Sequence, residues 1–119
     1  MSVVGVGVDI VKIEKICNAI GKWGDAFLSR VFDDEELAKI TKNKLYYQRL
    51  AGRFAAKEAV IKAISKSQQF ALKDIMILNK PNGAPYCKLT KDIGMEIMLS
   101  ITHIEDYAVA CAVAQKIEN

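Results

Sequence analysis

Histidine, proline and cysteine are scarce in this 119-residue chain, which contains one, two and three of them respectively. The three cysteines are Cys17, Cys87 and Cys111, and no two of them form a C-x-x-C pair. With a single histidine beside them, they do not provide the ligand set of a structural zinc site. Their odd number and wide spacing predict reduced packing residues in a cytoplasmic protein.

Long apolar runs are also missing. No run approaches the roughly 20 apolar residues that a membrane-spanning helix needs, so no membrane partner is expected. The N-terminal stretch has no basic leader, and its Val/Gly run contains Asp9, which is not typical of a signal peptide. The sequence shows no internal repeat or low-complexity linker. With 51% apolar and 26% charged residues, residues 1–119 are predicted to form a single domain.

Several catalytic and binding motifs are absent as well. No Walker A or kinase signature is present, and no serine or cysteine lies in a recognisable activating motif. Aromatic residues do not alternate with the basic residues, and no RNA-binding signature occurs, which argues against a nucleic-acid partner. A small nucleic-acid-binding domain is therefore the weakest of the candidate functions.

The most informative stretch is Leu50 to Ser65, LAGRFAAKEAVIKAIS, which favours a helix. At 3.6 residues per turn it has a bulky apolar stripe and, nearly opposite, a stripe of small residues. The bulky stripe is Leu50, Phe54, Ile61 and Ile64, and the small stripe is Gly52, Ala56, Ala59 and Ala63. A helix with two apolar faces is expected to be sandwiched between other elements.

Charged residues lie between these stripes, with Glu58 and Lys62 on one side and Arg53 and Lys57 on the other. The spacing of Glu58 and Lys62 also suits an ordinary helical ion pair. However, residues 39–66 contain eight Lys or Arg and a single acid, Glu58. A basic segment with one carboxylate suits a polyanion bound together with a divalent cation.

The β-branched run VVGVGVDI predicts a strand from Val3 to Ile10. Alternation places Gly5, Gly7 and Asp9 on one face. Glycines weaken a strand, so they are expected where another group must approach the backbone closely. Here that approach would lie next to the Asp9 carboxylate. Asp9 is therefore a candidate metal ligand, although it could also cap the following helix.

Helices are predicted at Val11–Ile20, at Ala26–Val31, and from an Asp33 N-cap to about Thr41. The first helix has an apolar stripe of Ile13, Ile16, Cys17 and Ile20, and outward lysines that suit either solvent or an acidic partner. The acidic cluster FDDEE is explained by helix capping and the helix dipole.

After the central helix the pattern changes to a period of two. Strands are predicted at Ile75–Leu78 and Tyr86–Leu89, joined by a turn at Asn82-Gly83, and then at Ile97–Thr102 and Tyr107–Ala114. The alanine face of the last strand is a natural partner for the small stripe of the central helix. These elements predict an α+β fold, a mainly antiparallel sheet with the long central helix packed across it.

Two carboxylates on separate elements, Asp9 and Glu58, stand beside several cations. Mg²⁺ commonly uses one or two carboxylates with water and substrate phosphates. Two carboxylates with neighbouring cationic side chains suit phosphate-group transfer, in which positioning and charge neutralisation supply most of the catalysis. His103, at a strand end, is either structural or a phosphate contact or general acid/base.

Taken together, VGVGVDIVKIEKI, RLAGRFAAKEAVIKAI, NGAPY and LSITHIEDYAVACAVA resemble the holo-[acyl-carrier-protein] synthase family, the short 4′-phosphopantetheinyl transferases. The resemblance covers nearly the whole chain. It implies Mg²⁺-dependent transfer of 4′-phosphopantetheine from coenzyme A to a serine of apo acyl carrier protein. Adenosine 3′,5′-bisphosphate is released, and the reaction supports fatty acid biosynthesis. It further implies a homotrimer with active sites between subunits.

The resemblance also implies roles for individual residues. Asp9 and Glu58 become metal ligands, and Glu58 becomes the general base, directly or with a metal-bound water. The residues expected to bind coenzyme A, through its phosphates or along its cleft, are Arg53, Lys57, Lys62, Asn82, Gly83, Pro85 and His103. Lys62 is also expected to be catalytic. Lys15 and Lys22 match the basic surface that meets the acidic carrier protein.

The sequence departs from the family after the central helix, where Ile64-Ser-Lys-Ser-Gln-Gln-Phe70 replaces a glycine-containing loop. Glycine lets backbone approach a ligand closely, so the coenzyme contact is expected to differ there. The alternative function is a non-catalytic module that binds coenzyme A or a nucleotide without Mg²⁺-dependent turnover.

Overall fold

A computed structural model describes residues 2–64 and 70–117 of the chain. It confirms the predicted α+β architecture, with helices and strands in the expected order. In chain order the elements are β1 (Ser2–Lys12), α1 (Ile13–Trp23), α2 (Asp25–Val31), α3 (Asp34–Ala38), α4 (Tyr46–Ala63), a 3₁₀ turn (Leu72–Asp74), β2 (Ile75–Asn79), β3 (Pro85–Leu89), β4 (Met95–Ile104) and β5 (Tyr107–Lys116).

The strands form two antiparallel sheets. One is three-stranded in the order β1-β5-β4, and the other is the β2-β3 hairpin. In the larger sheet, β1 pairs with β5 from Ser2 opposite Lys116 to Lys12 opposite Tyr107. A two-residue turn at Glu105 and Asp106 joins β4 to β5, and Glu105 has a positive φ of 27°. The first and last strands are therefore neighbours.

Helix α4 packs across the inner face of the three-stranded sheet, as predicted. The alanines of β5 at 108, 110, 112 and 114 are buried, as are the small residues of α4 at 56, 59 and 63. At Gly5 an added Cβ would lie 1.8 Å from the carbonyl oxygen of Ala63, and at Gly7 it would lie 1.9 Å from that of Ala59. The two glycines therefore allow the backbone of α4 itself to approach β1.

Several element boundaries and one face assignment differ from the prediction. Strand β1 continues to Lys12 because pairing with β5 persists to Tyr107, so α1 begins two residues later than expected. Helix α3 ends at Ala38 rather than Thr41, because the next two amides bond three residues back, to Glu36 and Leu37, in a 3₁₀ closure. Cys17 is exposed and does not belong to the buried stripe of α1.

The opposite face of the three-stranded sheet, termed the outer face, is apolar, and residues 2–64 and 70–117 leave it uncovered. Its exposed large side chains are Val6, Val8, Ile10, Met98, Ile104 and Tyr107. Val8 and Ile10 retain 58% and 62% of their accessible surface. In the described part of the chain, no helix combines the length and apolarity that crossing a membrane requires.

Candidate active site

Asp9, Glu58 and Lys62 meet where β1 crosses α4. The Lys62 ammonium donates to the Val8 carbonyl at 2.9 Å and to Asp9 Oδ1 at 3.2 Å. The helical ion pair between Glu58 and Lys62 is therefore replaced by a contact between two elements. The glycine at position 7 makes this contact possible, because it lets α4 lie close to β1.

Glu58 has a perturbed carboxyl group. Burial raises its pKa, the negative charge of Asp9 raises it further, and the positive charge of Lys62 opposes both. A divalent cation placed between two neighbouring carboxylates neutralises the repulsion between them. The arrangement therefore favours a bound cation.

A cleft of about 910 Å³ opens beside these residues, between β1, α1 and α4. Asp9 and Glu58 line it together with Lys12, Glu14, Lys15, Phe27, Phe54 and Tyr107, among others. Lys15 thus lies on the same cleft as the carboxylates. Lys22 lies at the far end of α1, where its ammonium is 5.0 Å from the centroid of the Trp23 ring.

The donor set fits a hard divalent cation. Among residues 2–64 and 70–117 no group of three or more His, Cys, Asp or Glu side chains is assembled, which does not suit zinc. Two carboxylates suit Mg²⁺, which keeps several waters and takes oxygens from substrate phosphates. A cation already lies beside Asp9 in the form of the Lys62 ammonium.

Arg53 lies on a different side of α4, about 140° around the helix from Glu58. Its guanidinium donates to the Asn79 side chain, which in turn donates to the Gly83 carbonyl at 2.9 Å. Gly83 has a φ of 91°, and the Asn82 side chain accepts from the Ala84 amide at 3.0 Å. Arg53 is thereby tied to the β2-β3 turn.

That turn contains the predicted Asn82, Gly83 and Pro85. Pro85 begins β3 and pairs with Asn79, the last residue of β2. The structure thus groups Arg53 with all three turn positions, on a different side of α4 from the two carboxylates.

The placement of Lys57 contradicts its predicted role as a phosphate contact. Its side chain is fully buried, and its ammonium forms an ion pair with Glu36 at 2.6 Å. It also donates to the carbonyls of Leu72 and Ile75. Burial lowers the pKa of Lys57, and the Glu36 charge opposes that effect. A side chain satisfied in this way faces no ligand.

Glu36 was not predicted as an important residue. One of its oxygens accepts from the Asp33 amide at 2.9 Å as part of a capping box, and the other accepts from the Ile77 amide at 2.9 Å. The sequence predicted Asp33 as the N-cap, but not the return bond from Glu36. No sequence signal linked Glu36 to Lys57, since the two are far apart in the chain.

His103 lies on the inner face of β4, at its exposed end. Its Nδ1 is 2.6 Å from Nε2 of Gln48, a residue that the sequence reasoning overlooked. Gln48 and Glu58 are ten residues apart on α4, which corresponds to about 15 Å along the helix. Within one chain, His103 is therefore not brought to the two carboxylates.

Two further expectations have different outcomes. Asp9 does not cap α1, because Lys12 occupies the N-cap position and the helix has no side-chain cap. The expectation of an altered coenzyme contact falls on residues 65–69, outside the described part of the chain.

Comparison with known proteins identifies the family. Residues 5–112 match the 4′-phosphopantetheinyl transferase superfamily. Holo-[acyl-carrier-protein] synthase of Caldicellulosiruptor saccharolyticus is 44% identical over 121 residues, covering 95% of this chain and 97% of its own. Among solved structures, the chain superposes with a TM-score of 0.86 on holo-[acyl-carrier-protein] synthase from Neisseria meningitidis, at 30% identity over 97% of this chain and 100% of that one.

The crystal structure of the Helicobacter pylori holo-[acyl-carrier-protein] synthase in complex with coenzyme A is similar as well. The TM-score is 0.83 at 30% identity, covering 92% of this chain and 99% of that one. Family match, relatives and fold all agree. This chain belongs to the 4′-phosphopantetheinyl transferase superfamily.

Proposed function

We propose that the chain is a holo-[acyl-carrier-protein] synthase, which transfers 4′-phosphopantetheine from coenzyme A to a serine of apo acyl carrier protein. Adenosine 3′,5′-bisphosphate is the second product. The observation that carries the proposal is the meeting of Asp9, Glu58 and Lys62 where β1 crosses α4, at a cleft that both carboxylates line. Residues 1–119 would act as one transferase domain, in the cytoplasm and in support of fatty acid biosynthesis.

Asp9 and Glu58 would hold a Mg²⁺ ion. Once bound, the ion would neutralise charge on the pyrophosphate of coenzyme A. Burial and, after it, the charge of Asp9 raise the pKa of Glu58, and a divalent cation would relieve the repulsion between the two carboxylates, which supports this role. Lys62 would donate to a phosphate oxygen of the leaving group, since 52% of its side-chain surface is exposed beside Asp9.

A residue of the chain itself would also accept the proton of the attacking serine hydroxyl. The serine hydroxyl of the carrier attacks phosphorus, a new O–P bond forms, and the P–O bond to adenosine 3′,5′-bisphosphate breaks. Glu58 would accept the serine proton. Its position supports this role, because its carboxylate lines the same cleft as Asp9, which the serine of the carrier would have to enter.

The remaining contacts are assigned by position. Arg53 and the turn of Asn82, Gly83 and Pro85 would line the coenzyme, since they form one linked unit. Lys15 and Lys22 would face the acidic carrier protein, because α1 forms one wall of the cleft and both lysines are exposed. Charge complementarity of this kind mainly accelerates association.

We also propose a homotrimer with active sites between subunits. The outer face of the sheet leaves several large apolar side chains in solvent, and a contiguous apolar face of this kind marks an interface. Assembly would also solve the separation of His103 from the carboxylates, because a second chain could present its His103 to them. His103 would then contact a coenzyme phosphate.

The transferase proposal is tested by intact-protein mass spectrometry of apo acyl carrier protein incubated with this chain and coenzyme A. We expect the carrier to gain one phosphopantetheinyl unit in the presence of Mg²⁺, and to gain nothing after chelation. Asp9→Ala and Glu58→Ala should abolish the gain, whereas the control Glu35→Ala, an exposed carboxylate on α3, should not. Coenzyme A binding without any mass gain would instead support the non-catalytic binding module.

A further inference from the structure

The contact between Gln48 and His103 continues the packing of α4 on β4. One turn further along α4, Gly52 faces Ile101, such that a Cβ at Gly52 would lie 3.1 Å from the Ile101 methyl carbon. Two residues along a strand and four along a helix advance by similar lengths, about 6–7 Å. The advance from Gly52 to Gln48 along α4 therefore matches the advance from Ile101 to His103 along β4. The close packing of Gly52 on Ile101 thus brings Gln48 near His103.

The chemistry of this contact determines which ring nitrogen of His103 carries the proton. The amide nitrogen of Gln48 can only donate, so Nδ1, 2.6 Å away, must accept. A neutral imidazole that accepts at Nδ1 carries its hydrogen on Nε2. The nitrogen that remains available to a ligand is then a donor and has no free lone pair.

We propose that Gln48 is a positioning residue that holds His103 in the Nε2–H tautomer, so that the ring donates a hydrogen bond to a phosphate oxygen instead of accepting a proton. The phosphate part of this inference rests on the proposed function, whereas the tautomer does not. Of the two roles open to His103, a phosphate contact and a general base, this tautomer supports the phosphate contact. It leaves proton acceptance to Glu58.

The tautomer is directly measurable, because His103 is the only histidine of the chain. Long-range ¹H–¹⁵N correlation spectra of the ¹⁵N-labelled full chain, at a pH where the ring is neutral, distinguish a protonated from an unprotonated ring nitrogen. We expect Nδ1 to be unprotonated and Nε2 to be protonated in the wild type. A protonated Nδ1 would overturn the proposal, since the amide oxygen of Gln48 would then be the group facing the ring.

Gln48→Glu is the diagnostic variant, because a carboxylate only accepts and should move the proton to Nδ1. Gln48→Leu should leave the ring without this restraint, with both tautomers in exchange. The control Tyr47→Phe changes the neighbouring exposed residue of α4 and should keep the wild-type spectrum. The same tautomer in the wild type and in Gln48→Glu would overturn the proposal, whether or not the chain transfers phosphopantetheine.

Kinetics test the functional half separately. In Gln48→Glu, at a pH where the ring is neutral, a phosphate would face a ring nitrogen that carries no hydrogen. The KM for coenzyme A should therefore rise about 3- to 10-fold, the loss expected for one hydrogen bond, with a smaller change in kcat. A fall in kcat with unchanged KM would assign His103 to the proton transfer and contradict the inference.

Discussion

Cysteine environments differ sharply along the chain. Cys87 lies on β3 beside the buried Lys57 and Glu36 pair, and burial raises the pKa of its thiol to about 12. Cys17 is exposed on α1. Because the thiolate is the reactive form, iodoacetamide at about pH 8 should alkylate Cys17 and leave Cys87 intact in the folded protein. Peptide mapping by mass spectrometry measures both sites.

Unfolding in guanidinium before alkylation is the control for this prediction, and it should expose Cys87 to the reagent. Equal labelling of Cys87 and Cys17 in the native protein would show that β3 opens readily.

Glu58 provides a prediction about pH. Because its pKa is raised, the folded protein holds the proton more tightly than the unfolded chain, and ionising Glu58 lowers the free energy of unfolding. Without divalent cations, the wild type should therefore lose stability relative to Glu58→Gln as pH rises from the ordinary range of a glutamate through the raised pKa. Urea unfolding across this range measures the difference, and added Mg²⁺ should restore the wild type.

The matched control is Glu35→Gln. Its difference in unfolding free energy from the wild type should not increase as pH rises. A constant difference between wild type and Glu58→Gln would show that the site does not perturb Glu58.

At the residue scale, the sequence brought attention to Asp9 and Glu58, which the structure places together, whereas their role as metal ligands stays a prediction and the role predicted for Lys57 is wrong. Asp9 and Glu58 each stand beside glycine or alanine, and small residues reveal where backbones meet. Helical periodicity assigns Lys57 to a side of α4 but not to a depth. Its burial depends on Glu36 reaching it from α3, and a contact between residues far apart in the chain has no local signature.

Strand β1 and helix α4 are held together at the two glycines, which leads to a prediction at the scale of elements. Gly7→Ala would place a methyl group 1.9 Å from the Ala59 carbonyl oxygen and 2.9 Å from the Lys62 Cβ. Forcing the two elements apart should cost about 1–3 kcal/mol of unfolding free energy. Transfer activity should fall as well, because Asp9 moves with β1.

Gly21 offers a matched control for this substitution. It lies within α1, and an added Cβ there would have no heavy atom within 4 Å among the atoms described. Gly21→Ala should therefore stabilise the helix by about 0.5–1 kcal/mol. Equal stability of Gly7→Ala and the wild type would mean that β1 has room to move away from α4.

The pair of Glu36 and Lys57 joins α3 and α4 to β2. Both side chains are fully buried, so removing one partner leaves a charge without compensation. Glu36→Gln or Lys57→Met should each destabilise the protein by about 3–5 kcal/mol in urea unfolding. The double variant Glu36→Gln/Lys57→Met should lose less than the sum of the two. Strictly additive losses would show that the two charges do not interact.

Elements were predicted better than their borders. Period-two and helical patterns were sufficient for the strands and for α4, and the alanine face of β5 correctly indicated its partner. The end of α3 and the start of α1 depend on backbone hydrogen bonds to Glu36 and Asp106, which the local pattern does not encode. Periodicity also did not show that the strands divide between two sheets.

For the whole molecule, the outer face leads to a prediction about assembly. We expect sedimentation velocity at micromolar concentration to show a trimer. Val8→Glu should convert it to smaller species with low transferase activity, because Val8 is an exposed apolar residue of that face, well inside β1. Thr41→Glu, which adds the same charge at an exposed site between α3 and α4, should leave the trimer intact. A wild-type monomer would contradict active sites between subunits.

The pairing of the first strand with the last has a consequence for synthesis in the cell. β1 leaves the ribosome before its partner β5, which emerges only after the whole stretch from α1 to β4 has been made. Until then β1 lacks the strand that pairs with it, and the loop that must close contains all of those elements. The three-stranded sheet, and the cleft that β1 forms with α1 and α4, should therefore form only after β5 has been synthesised. A nascent chain stalled before β5 would leave β1 open to chaperones.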